Sequence, residues 1–80
     1  MARVVAYANH DEALQWLFHY LGSGSVRVQG LRVEVPVTDW TKAIRYADDL
    51  ATLAKSIGIG EIYAYNDTEE YWPKYDREAA

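Results

Sequence analysis

Three observations predict an α+β domain with the element order β-α-β-β-α-β. Apolar and polar residues alternate in two runs flanking Gln29-Gly30, at residues 25–28 and 31–37. Two other runs, 10–21 and 40–57, repeat apolar residues at steps of three and four. Short β-rich stretches stand before the first of these and after the second, at 3–8 and 59–65. Period two marks a half-buried strand, and a period near 3.6 marks an amphipathic helix.

The first strand reads RVVAYA over 3–8. Asn9 then offers an N-cap, with Glu12 three residues on at the capping-box spacing. Asp11 adds negative charge where a helix dipole favours it. Leu14, Leu17, Phe18 and Leu21 form one stripe of the helix predicted over 10–21. Gly22 is a natural stop, and Gly22, Ser23 and Gly24 read as a loop. Strict alternation around Gln29-Gly30 predicts a hairpin with those two residues as its turn, Gly30 supplying the positive φ. In that register Val28 opposes Leu31 and Arg27 opposes Arg32. Val26, Val28, Leu31, Val33, Val35 and Val37 then share one face, and Pro36 suits an edge or a strand end. Thr38 or Asp39 caps a second helix over 40–57. Its stripe is Trp40, Ala43, Ile44, Ala47, Leu50, Ala51, Ala54 and Ile57, and Gly58 ends it. The fourth strand is 59–65, with Ile62 and Ala64 on one face. The predicted core brings together Leu17, Leu21, Val33, Ile44, Ala47, Leu50 and Ile62.

Right-handed crossovers and a single short hairpin favour a four-stranded antiparallel sheet with both helices on one face. That arrangement resembles the ferredoxin-like layout, with a domain over residues 1–66. Residues 67–80 read as an acidic C-terminal tail that carries Tyr71, Trp72 and Tyr75. Folds of this kind host unrelated functions, so function has to be argued from side chains.

The bare sheet face should display Arg3, Val5, Tyr7, Arg27, Arg32, Glu34, Glu61, Tyr63 and Tyr65. Arg27 directly opposite Arg32 sets like charge against like charge. Glu34 and solvent relieve them in one reading; in the other they form a guanidinium pair awaiting a carboxylate or phosphate. Val5, Tyr7, Tyr63 and Tyr65 form an aromatic cluster. The tail covers it, a second copy covers it, or it stacks bases as RNA-recognition sheets do.

Charge argues against nucleic acid. The chain of 80 residues has 12 acids, 8 bases and a formal net charge of −4, and a nucleic-acid binder shows a basic footprint. The excess of acid is concentrated beyond residue 65. Cysteine is absent, which removes thiol chemistry and Cys-ligated zinc. No signal peptide or membrane span is expected, so a cytoplasmic location is. His10 and His19, the two histidines, are too far apart in sequence to make a metal pair and read as surface residues. The string Arg27-Val28-Gln29-Gly30 is similar to one in acylphosphatases, where it leads into the first helix and cradles phosphate. Here it bends into a strand after that helix, so the activity is rejected. Ser23 and Ser25 read as linker. Arg45 is placed to pair with Asp49 one helical turn on, which leaves Asp48 free. No carboxylate pair is placed for acid–base work. The expectation is a protein with no catalytic residues, no cofactor and no metal.

A small, acidic, cysteine-free, aromatic-rich chain without catalytic groups resembles, in overall type, the phage-encoded anti-CRISPR proteins. That resemblance implies an inhibitor that blocks the DNA-binding surface of an effector complex, with carboxylates standing in for phosphates. The candidate carboxylates are Asp11 and Glu12, Asp48 and Asp49, and Asp67, Glu69 and Glu70. The alternatives are a regulatory or structural domain that dimerises through its open sheet, and an RNA-binding sheet. For both of these, the working face is Val5, Tyr7, Arg27, Arg32, Tyr63 and Tyr65.

Overall fold

A computed structural model describes residues 2–21 and 26–73. Their elements are β1 (Ala2–Ala8), α1 (Asp11–Leu21), β2 (Arg27–Gln29), β3 (Arg32–Val37), α2 (Trp40–Ile57), β4 (Ile59–Tyr65) and β5 (Glu70–Tyr71). All strand pairs are antiparallel, in the order β2-β3-β1-β4-β5. The α+β class and both helices match the sequence reading. The sheet has five strands, not four. The additional strand lies in the segment read as tail, where Glu70 pairs with Tyr65 and Tyr71 with Ala64.

Helix ends follow local chemistry. Asp39 caps α2, its Oδ1 accepting from the Thr41 N–H at 2.9 Å. Gly58 closes α2 in the left-handed region at φ 97, and its N–H returns to the Ala54 carbonyl. The α1 cap is His10 rather than Asn9: His10 Nδ1 accepts from the Ala13 N–H at 3.2 Å. Asn9 is taken up differently, its N–H donating to the Gly58 carbonyl at 2.8 Å. The start of α1 is thereby fastened to the end of α2.

The helix-covered sheet face supplies Val4, Ala6, Val33, Val35, Ile62 and Ala64 to the core. Opposite them lie Ala13 and Leu17 from α1, and Ala43, Ala47, Leu50, Ala51 and Ala54 from α2. Small residues on both layers let α2 lie close on the sheet, so Leu17, Leu50 and Ile62 supply much of the bulk. Two expected core residues are only half-buried: Leu21, in the last turn of α1, packs at the margin of the core, and Ile44 lies on the flank of α2's stripe.

The hairpin register differs from the expected one by two residues on β3, which leaves every strand side chain on its expected face. The pairs are Gln29 with Arg32, Val28 with Val33 and Arg27 with Glu34. The turn is therefore Gly30-Leu31, with Gly30 at φ 63. Arg27 opposes a carboxylate instead of Arg32, an attractive cross-strand pair in place of a repulsive one. Leu31 leaves the sheet for the turn, and Val28 and Leu31, expected on the covered face, are exposed.

Candidate binding surface

Strand register builds the open face in three rows. Arg32, Tyr7 and Glu61 form one; Glu34, Val5 and Tyr63 the next; Pro36, Arg3 and Tyr65 the third. At the centre Val5 is fully buried although no helix covers this side. Longer side chains close over it.

Glu34 is the hub. It is 7% exposed, the one buried charged residue among those described. Arg32 Nη1 lies 2.8 Å from Glu34 Oε1, and Arg3 Nη1 lies 3.4 Å from Oε2. The Tyr65 hydroxyl donates to Oε2 at 3.0 Å. Arg32 also donates from Nε to the Tyr7 hydroxyl at 3.1 Å. Burial by itself raises a carboxyl pKa, yet Glu34 is held below its ordinary value. Hydrogen bonds from Arg32 and Tyr65 and the charges of Arg32 and Arg3 outweigh desolvation. Arg32 moves up despite desolvation, through its bonds with Tyr63, Glu34 and Tyr7. The Tyr65 hydroxyl is raised by burial and by the Glu34 carboxylate. Of the Arg27–Arg32 pair expected to await a carboxylate, Arg32 takes Glu34 on its own strand, and the second arginine on that carboxylate is Arg3, not Arg27.

Beside this polar centre lies an aromatic ledge. Trp72 stacks on Tyr63 with centroids 4.4 Å apart and planes 21° apart, and Tyr63 lies 6.0 Å from Tyr65. Trp72 remains 49% exposed, and its Nε1 donates to Glu70 Oε1 at 3.2 Å. β5 places it there. Successive residues of a strand point to opposite faces, so Trp72 meets the open face while Tyr71 turns to the helix side. There the Tyr71 hydroxyl donates to Asp48 Oδ1 at 2.6 Å. The Asn66 side chain holds the preceding turn, its Oδ1 accepting from the N–H groups of Thr68 and Glu69.

The face singled out from sequence is assembled: Val5, Tyr7, Arg32, Tyr63 and Tyr65 lie together, with Arg27 at its β2 margin. Of the three covers read from sequence for this cluster, the tail is the one seen: Trp72 stacks on Tyr63, while its neighbour Tyr71 goes to the other side of the sheet. The available signal for that division was Tyr71 and Trp72 adjacent after a turn, one aromatic for each side of a strand. The acidic candidates are dispersed. Asp11 and Glu12 are exposed in the first turn of α1. Asp48 is not free, because Tyr71 engages it. Asp49 borders a shallow hollow with Lys42, Arg45 and Tyr46. Asp67, Glu69 and Glu70 are exposed at the β4–β5 turn and in β5. Tyr75 lies outside the described residues. Among the described residues no group of three or more His, Asp or Glu is placed to hold a metal ion. No described helix is long and apolar enough to cross a membrane.

Comparison with protein families, with curated sequences and with solved structures gives no match.

Proposed function

We propose that this chain is a non-catalytic binding protein, a ferredoxin-like layout extended by one edge strand, and that a partner protein covers its open sheet face. The exposed Trp72 on Tyr63, beside arginines already engaged by Glu34, carries this reading. Trp, Tyr and Arg dominate binding hot spots because they bury large areas with few torsions to freeze. Here the aromatic pair is held by stacking and the arginines by Glu34, so little ordering cost remains at association. Arginines engaged with Glu34 are poorly placed to take phosphate, and the net charge is −4, so a protein fits better than RNA.

A second reading keeps the acidic surface as the working one, in an anti-CRISPR-type inhibitor acting in the cytoplasm of an infected bacterium. The Tyr71–Asp48 bond favours it, because it brings the acidic β4–β5 turn and strand alongside α2. One titration separates the two. A purified CRISPR effector complex is titrated with wild type, with Trp72→Ala, with Tyr7→Ala, and with Asp48→Arg combined with Asp49→Arg. Loss of binding in the aromatic variants alone supports the open face. Loss in the charge-reversed variant, with binding that weakens as salt rises, supports the acidic surface. If the wild type leaves the complex unbound and active, the inhibitor reading fails.

A further inference from the structure

The opposite border of the sheet carries a feature that the open face does not use. β2 is an outer strand, and its backbone geometry can be read from its neighbours. The Ala8 N–H donates to the Leu31 carbonyl at 2.8 Å, so the main-chain groups of Leu31 and Val33 turn toward β1. Those of Arg32 and Glu34 turn toward β2, where Gln29 and Arg27 answer them. The N–H and C=O of Val28 therefore point away from the sheet. Its side chain, 43% exposed, lines a hollow of about 240 Å³ with Leu14, Gln15 and Phe18 of α1. Outward backbone groups and an adjacent apolar hollow coincide at one residue.

We infer that β2 is a self-association edge, at which two copies pair their β2 strands antiparallel about a two-fold axis through Val28. Pairing with a second copy is self-complementary at this register. Each Val28 exchanges both backbone hydrogen bonds with its counterpart. Arg27 of each copy meets Gln29 of the other, so no like charges stand opposite. The two Arg27 residues fall about 7 Å apart along the strand direction, from a rise of roughly 3.4 Å per residue. The second copy's Val28 enters beside the hollow and shields Phe18 and Leu14, which are half-buried in one copy alone. The other border of the sheet is less available: β5 has two residues, and Tyr71 there is tied to Asp48. β2 is short, with three residues and one charge at Arg27, but it carries no proline, lysine or bulge to turn a partner strand away. This association is separate from the partner surface proposed above, which lies on the sheet face.

The absence of cysteine makes the test direct. Hydrogen-bonded antiparallel partners have Cα atoms about 5.5 Å apart, inside the disulfide range of roughly 4.4–6.8 Å. Val28→Cys should therefore form a covalent dimer under mild oxidation much faster than Thr52→Cys, an exposed control on α2. Arg27→Cys should cross-link poorly with itself but readily when mixed with Gln29→Cys. In sedimentation equilibrium the wild-type mass should rise above 9.1 kDa toward twice that value with concentration. Val28→Arg, folded by circular dichroism, should remain monomeric. A wild type that stays monomeric while Val28→Cys cross-links no faster than the control overturns the inference. So does a dimer that Val28→Arg leaves intact, which would place the contact elsewhere. If Val28→Arg fails to fold, the ratio of cross-linking rates decides alone.

Discussion

The Tyr65 hydroxyl reaches over Val5 to donate to Glu34 Oε2 at 3.0 Å, joining β4 to β3 across the central strand. Glu34 is thereby surrounded by three donors on a face without helices. Removing the carboxylate leaves Arg3 and Arg32 close together with no counter-charge. Their side chains keep 38% and 24% exposure, so water recovers part of the loss. Glu34→Ala should cost about 1–3 kcal/mol, below the range for a fully buried ion pair. Urea unfolding followed by circular dichroism measures it. A change within error of zero would mean that the network is decorative.

The same residue sets an acid limb for stability. Its folded pKa lies below the ordinary glutamate value of 4.5, so the folded state binds the proton less readily than the unfolded one. The stabilisation is complete above that ordinary value and is lost as pH falls through the lower folded value. The melting temperatures of wild type and Glu34→Gln should therefore differ most near neutrality and converge on acidification. Tyr65 acts at the other end. Its folded pKa is raised above 10.0, so its contribution is present below that value and lost as pH rises through the folded one. Tyr65→Phe should flatten the alkaline limb.

Leu50 is the test of the core. It is fully buried at the middle of α2, on a helix face otherwise made of alanines that cannot expand into a void. Leu50→Ala should cost about 2–5 kcal/mol. The denaturant midpoint should shift with an unchanged slope.

The elements legible in the sequence were those specified by local chemistry. Thr38 or Asp39 and Gly58 bracket α2 in the sequence, and period-two patterning assigns the residues of the open face, although not the rows they form. What stayed hidden depended on tertiary choice. Gln29-Gly30 and Gly30-Leu31 both put Gly30 in a two-residue turn, and alternation alone favoured the first. The attraction of Arg27 for Glu34 and the placement of Leu31 against Ala8 accompany the second. β5 is two residues long, below any periodicity signal, and exists because Ala64 and Tyr65 offer an edge. His10 caps α1 in place of Asn9, whose backbone N–H instead bonds the Gly58 carbonyl, a contact distant in sequence.

β5 is held from both faces, and the two anchors should separate experimentally. Trp72→Ala removes the stack on Tyr63 and should cost about 0.5–1.5 kcal/mol, with loss of the near-ultraviolet circular dichroism from that pair. Tyr71→Phe removes only the bond to Asp48. It should speed hydrogen exchange at the β5 amides while leaving the Trp72 signal in place. If Tyr71→Phe abolished that signal, the two anchors would be one cooperative unit.

Gly58 and His10 make the sharpest test of how the two helices are fastened together. Gly58 sits at φ 97, where a side chain is disfavoured by roughly 1–2 kcal/mol. A Cβ there would also lie 2.5 Å from His10 Nε2. The ring cannot simply swing aside, because its Nδ1 caps α1 through the Ala13 N–H. Losing a cap costs about 0.5–2 kcal/mol. Gly58→Ala should therefore destabilise by more than backbone strain alone. Gly30→Ala supplies the reference, since Gly30 also has positive φ but no atom within 4 Å of its would-be Cβ. In a His10→Ala background the clash and the cap are already gone, so Gly58→Ala should then cost about as much as Gly30→Ala does. The double-mutant cycle should show a coupling of about 0.5–2 kcal/mol between positions 10 and 58. Strict additivity would mean that the His10 ring relaxes freely and that α1 is capped by something other than this histidine.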